Sequence, residues 1–158
     1  MSLASDGFKI ALDLGQLAKS RLVFGPIWLE VDSTSFPGSG WTDFPVAVLS
    51  FWLANIQPLL VGRAESCECP FMDGPYVFRL QVSSPSEWKL SLFEDSALKA
   101  DPVGIKILSS RAVVKQLIAA AETLLQKCEE EDWLDQDAAT LKDSLAQVKT
   151  IVEAGGHF

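Results

Sequence analysis

The residues with chemistry to offer are few, and the densest group is acidic. Positions 129–137 read EEEDWLDQD, six carboxylates and one tryptophan with no base among them. Carboxylates in such a run attract a basic surface, and a tryptophan among them offers an aromatic anchor for it. Runs of this kind also serve as plain solvated faces, and both readings stand. Asp132 is placed to cap the last helix of the chain, with Asp135 in its first turn, where a negative charge meets the helix dipole favourably. Glu129, Glu130 and Glu131 fall at the C-terminal end of the preceding helix, where the dipole disfavours them. The candidate partner-binding set is therefore Glu129, Glu130, Glu131, Asp132, Trp133, Asp135 and Asp137.

Catalysis has little to work with. The one histidine is His157, next to the last residue, where chains usually fray. That removes Ser-His and Cys-His dyads and any histidine-centred metal site. There is no GxxxxGK loop, no GxGxxG and no Gly-x-Ser-x-Gly. Glu30, Asp32, Asp43 and Asp73 are the acids from which a two-carboxylate hydrolase would be built, but their spacing selects no pair. Cys67 and Cys69 form a lone CxC with Cys128 far along the chain, short of the four ligands a structural metal takes. The expectation is a chain without cofactor, metal or enzymatic activity.

Composition narrows the partners. The 158 residues carry a net charge of −8, with 48% apolar and 22% charged residues. This is the composition and size of one globular domain with a core of its own. An acidic chain repels phosphate backbones and anionic lipid, so neither nucleic acid nor a membrane surface is expected as a partner. An odd, small cysteine count points to free thiols in a reducing compartment. The first residues show no basic, apolar leader pattern, so the expected location is cytoplasmic.

One stretch tests that conclusion. Residues 44–62 contain no charge at all. Pro45 suits the first turn of a helix, behind Asp43 as a cap, and Pro58 ends regular helix near Gln57. The helix 43–57 left between them is about 20 Å long at about 1.5 Å per residue, against about 30 Å for a bilayer core. Ala47, Ser50, Ala54 and Gln57 share its one small or polar stripe, and nearly everything else is bulky. A helix apolar almost all round is a central buried helix.

The remaining elements follow from period. Phe8, Ile10 and Leu12, then Ile27, Leu29 and Val31, alternate as strands, and STSFPGSG at 33–40 is a loop. Tyr76–Val82 and Trp88–Leu92 read as an antiparallel hairpin, Val103, Ile105 and Ile107 as a further strand, and 64–71 as a weaker one. From Ser109 the spacing becomes three and four. Val114, Leu117, Ala121, Leu124 and Cys128 mark one amphipathic helix; Leu134, Ala138, Leu141, Leu145, Val148 and Val152 mark another, stopped at Gly155-Gly156. The fold class is α+β in a single domain over 1–158. A mainly antiparallel, strand-rich part, 1–108, surrounds the central helix, and an antiparallel helical hairpin, 109–154, completes it.

Two segments carry a resemblance. Trp41-Thr-Asp43-Phe44-Pro45 running into an apolar helix with Trp52, and Phe71-Met-Asp73-Gly74-Pro75-Tyr76 opening a strand, resemble small bacterial proteins of the polymorphic-toxin immunity type. The resemblance covers about 40 residues of the middle of the chain, and no residue in it is a known functional signature. It implies a non-catalytic bacterial protein that binds and neutralises a basic cognate toxin. The alternatives are a structural or regulatory subunit that dimerises or docks through the apolar seam of its C-terminal hairpin, and a small-molecule binder or orphan enzyme with a pocket between sheet and central helix.

Overall fold

The computed structural model describes residues 7–158 and contains two antiparallel sheets and three helices. In chain order the elements are β1 (Phe8–Leu12), a 3-10 turn (Leu14–Gln16), β2 (Ala18–Lys19), β3 (Val23–Val31), β4 (Thr34–Phe36), β5 (Thr42–Asp43) and α1 (Pro45–Leu60). Then come β6 (Ser66–Pro70), β7 (Val77–Ser84), β8 (Glu87–Phe93), β9 (Gly104–Ser109), α2 (Ser110–Glu130) and α3 (Gln136–Glu153). The first sheet is organised by β3. It pairs with β1 from Phe8–Val31 to Leu12–Ile27, with β2 near its start, and with β4 and β5 through Leu29–Val31 and Gly25–Pro26. The second sheet is a meander in the order β6-β7-β8-β9. The α+β class and the antiparallel pairing expected from period are both present.

The long β3 survives a glycine because the chain is crowded there. A Cβ on Gly25 would lie 2.6 Å from Leu17 Cδ2 and 3.0 Å from its Cα, so no larger residue fits beneath the turn before β2. The three-residue strand β4 and the two-residue strands β2 and β5 are too short for period to reveal. Two of them lie where the sequence shows only turn residues or an irregular stretch.

Helix α1 departs from its expected bounds at both ends. Asp43 does not cap it: Phe44 is the N-cap and offers no side-chain acceptor. At the other end α1 runs through Pro58 to Leu60. Proline in a final turn forfeits one hydrogen bond, and continuing the helix buries Leu59 and Leu60 almost completely. The stop comes from Gly62 at φ +75°, whose N–H donates to Leu59 C=O at 3.2 Å, while Arg63 N–H donates to Pro58 C=O at 2.9 Å. That is the Schellman arrangement, with glycine in the left-handed position.

α1 touches β3 of the first sheet, β6 of the second, and both α2 and α3. Val48, Leu49, Trp52, Leu53, Ile56 and Leu60 are fully buried. The expected polar stripe is displaced: Ser50 is buried, and the solvent-facing line is Phe51, Ala54, Asn55 and Pro58. Trp52 donates from Nε1 to Pro70 C=O at 2.7 Å and sets its ring edge-on to Phe71 and Phe78, at 5.1 and 4.9 Å between centroids. One buried cluster runs from Phe8 through α1 and the second sheet to Val148 of α3. Among the described residues no helix is long and apolar enough to cross a membrane.

Candidate functional site

The acidic run is split by a tight helix–helix connection. α2 ends with its own Schellman arrangement: Asp132 N–H donates to Glu129 C=O at 3.2 Å, and Trp133 N–H to Cys128 C=O at 2.7 Å. Asp132 holds the left-handed position at φ +59°. It therefore terminates α2 and does not cap α3. The cap is Asp135, whose carboxylate accepts from Ala138 N–H at 3.1 Å. Asp137 is the acid of the first turn of α3.

The seven candidate residues divide by what they touch. Glu131 pairs with Lys127 one turn back at 2.9 Å, and Asp135 with Lys19 of β2 at 3.3 Å. Burial works to raise the Asp135 carboxyl. The Ala138 N–H and the Lys19 ammonium outweigh it and hold the group below the ordinary aspartate range. Burial, then the neighbouring Asp135 charge, pushes the Cys128 thiol up. Trp133 is half-buried and packed against the core. Glu129, Glu130 and Asp132 are exposed, and Glu129 and Asp132 have no ion-pair partner among the described residues.

Leu134 was expected in the buried seam of the last helix. It lies before α3 begins and is 60% exposed. It stands at one end of a groove of about 820 Å³ between α2 and α3. Leu125, Ala138 and Leu145 line the apolar floor; Glu129 and Asp135 sit at the Leu134 end, and Lys142 and Lys149 line the α3 side. Lys149 forms an ion pair with Glu122 across the far end. The groove thus offers an apolar floor with one carboxylate at the turn end, Glu129, that has no ion-pair partner among the described residues. The rest of the hairpin seam, including Leu117, Ala121, Leu124, Leu141 and Val148, is buried within the molecule.

Of the four acids from which a two-carboxylate hydrolase would be built, Glu30, Asp32 and Asp43 are held by local partners. Glu30 accepts from Trp28 Nε1 and from Ser35 Oγ at 2.7 Å, and these bonds, Trp28 foremost, hold its carboxyl below the usual range. Asp32 is salt-bridged to Lys106 at 3.0 Å. Asp43 is 2% exposed and accepts three hydrogen bonds: from Phe44 N–H at 2.8 Å, Trp41 Nε1 at 3.0 Å and Asp73 N–H at 3.1 Å. With the Trp41 and Tyr76 rings 5.0 Å apart, these bonds latch the 71–76 loop onto the start of α1. The two segments that carry the resemblance therefore meet in space and do structural work. Cys69 is buried, which pushes its thiol well up, and Cys67 is half-buried beside it. His157 is held rather than frayed: its N–H donates to Leu60 C=O. Phe158 beside it lies under the Arg111 guanidinium at 5.2 Å.

Sequence reasoning found the acidic residues but not the groove beside them, because a groove depends on how two helices are spaced. Leu134 carried a signal: it lies between Trp133 and the better cap Asp135, outside a helix that begins at Gln136, two residues later than periodicity alone suggests. Comparison of the chain with protein-family models, with curated proteins and with solved structures finds no match to any of them.

Proposed function

We propose that this chain is a non-catalytic protein-binding domain that receives a basic segment of a protein partner at the α2–α3 turn and groove. We further propose that this is the neutralisation of a bacterial toxin, in the cytoplasm, by an immunity-type protein. The observation that carries the binding reading is the union of an exposed Leu134 with the carboxylate of Glu129, which has no ion-pair partner among the described residues, at the turn end of a groove with an apolar floor, next in sequence to the exposed Glu130 and Asp132. An apolar anchor inside a charged rim is the anatomy of a binding patch. The toxin reading rests on the resemblance of 41–45 and 71–76 and on the charge of −8, which suits fast capture of a basic partner.

The test uses the toxin domain encoded directly upstream of the gene for this chain. Association should be rapid and should slow steeply with salt. Replacing Glu129, Glu130 and Glu131 with Gln should slow association and flatten its salt dependence, while stability stays within about 0.5 kcal/mol of the parent. Trp133→Ala should act mainly on stability, because the indole is half-buried against the core. Unchanged association in the triple variant, or no toxin gene upstream, overturns the reading.

A further inference from the structure

A second cleft, of about 360 Å³, opens between the β3–β4 hairpin of the first sheet and strands β8 and β9 of the second. No residue of α1 lines it, so it is not the pocket expected between sheet and central helix. Its volume falls at the low end of small-molecule sites, which run from about 300 to about 1,000 Å³. Val31, Phe36, Leu90 and Leu92 line it and are all buried, which makes an apolar floor. Val103 and Ile105, both exposed, belong to its rim. Gly104 lies between them, paired with Leu92. A Cβ there would come within 3.2 Å of Leu92 Cδ1, so a larger residue would crowd this wall.

The cleft also carries charge of both signs. Lys106 of β9 donates to both carboxylate oxygens of Asp32 at 3.0 Å, which links its two sides. Val31 pairs with Thr34, so Asp32 and Ser33 form a two-residue hairpin turn. Asp32 takes its first position at φ +55°, where glycine would sit without strain. The aspartate there supplies the counter-charge that Lys106 needs. With that ammonium neutralised, the remaining charge on the lining is Glu94, directly after β8. Glu94 has no ion-pair partner among the described residues.

We propose that this cleft binds a small organic cation, a protonated amine on a compact apolar body. The body would lie against Phe36, Leu90 and Leu92, and the ammonium would pair with Glu94. An apolar floor with few polar groups at its rim is the usual make-up of a small-ligand site. The sign follows from the count: two carboxylates against one ammonium leave a single negative charge, which a monocation matches and an anion does not. The site is separate from the α2–α3 groove, and the two share no lining residue.

The experiment is a titration of the full chain, labelled with nitrogen-15, followed through its amide resonances. The probes are phenethylamine, 2-phenylethanol and 3-phenylpropionate, which carry a cationic, a neutral and an anionic head on similar apolar bodies at neutral pH. Phenethylamine should bind with a Kd of about 1 mM, in keeping with so few atoms, and move the amides of Glu94, Gly104 and Lys106 most. The alcohol and the acid should bind at least about fivefold more weakly. Glu94→Gln, at an exposed position, should melt like the parent and bind the amine about fivefold more weakly as well. No movement up to about 10 mM amine, or movement centred on the α2–α3 turn, overturns the proposal. Equal binding of the alcohol would make the cleft merely apolar, and tighter binding of the acid would give it to Lys106; either result overturns it too. So does a Glu94→Gln chain that binds the amine as the parent does.

Discussion

Two helices of this protein end in the same hydrogen-bond arrangement with different residues at the critical position. α1 places Gly62 there at φ +75°, and α2 places Asp132 at φ +59°. Glycine adopts that conformation without steric cost; aspartate tolerates it but is strained, and here it also adds negative charge to the C-terminal end of a helix dipole. Nothing in the fold requires its carboxylate, which has no ion-pair partner among the described residues. Asp132→Gly should therefore raise stability by about 0.5–1 kcal/mol in urea melts, the gain from relieving strain exceeding the extra chain entropy of glycine. A loss of stability would mean that the carboxylate does structural work. If the proposed function is right, the same variant should also slow capture of the basic partner, so the residue would be retained for binding at a cost in folding.

At the scale of elements, α1 is the piece on which the others depend. Trp52 is fully buried, hydrogen-bonded to Pro70 C=O and flanked by two aromatic rings, so truncation removes packing on three sides and leaves a buried carbonyl without its donor. Trp52→Ala should cost about 3–5 kcal/mol in a denaturant melt, and a cost below about 1 kcal/mol would contradict its position. That α1 is buried was legible, since a run apolar on every side admits few other fates. Where it ends was not, because Pro58 is a loud local signal and the burial of Leu59 and Leu60 is a tertiary one that outweighs it. Period likewise gave β1, β7, β8 and β9 but not which face of β9 is covered. Val103, Ile105 and Ile107 alternate as a buried row would, and only the sheet order turns them to solvent. The acidic site was legible as charge and not as shape: its carboxylates are local, whereas Asp135 as cap, the half-burial of Trp133 and the groove beside Leu134 depend on the turn between two helices.

For the whole molecule, the question is whether the strand-rich part and the helical hairpin can exist apart. The hairpin contributes Val113, Val114, Leu117, Leu124, Leu141 and Val148 to the common cluster, each 2% exposed or less. At about 1.5–3 kcal/mol for each buried side chain, their removal forfeits on the order of 10 kcal/mol, comparable to the entire stability of a typical domain. Losing α2 and α3 would also expose the face of α1 that they cover. Unfolding should thus be a single cooperative event, with urea melts followed by far-UV circular dichroism and by tryptophan fluorescence superimposing. Residues 1–108 made alone should show no cooperative transition. Trp133 supplies the internal control, being the one tryptophan in the hairpin, whereas Trp28, Trp41, Trp52 and Trp88 belong to the strand-rich part. If the hairpin melted first, fluorescence would show an early step that disappears in Trp133→Phe, and the two parts would have to be treated as separate folding units. Coincident melts with no such step would mean that a partner gripping the α2–α3 turn stabilises the whole chain, because binding to any part of a two-state fold raises the stability of all of it.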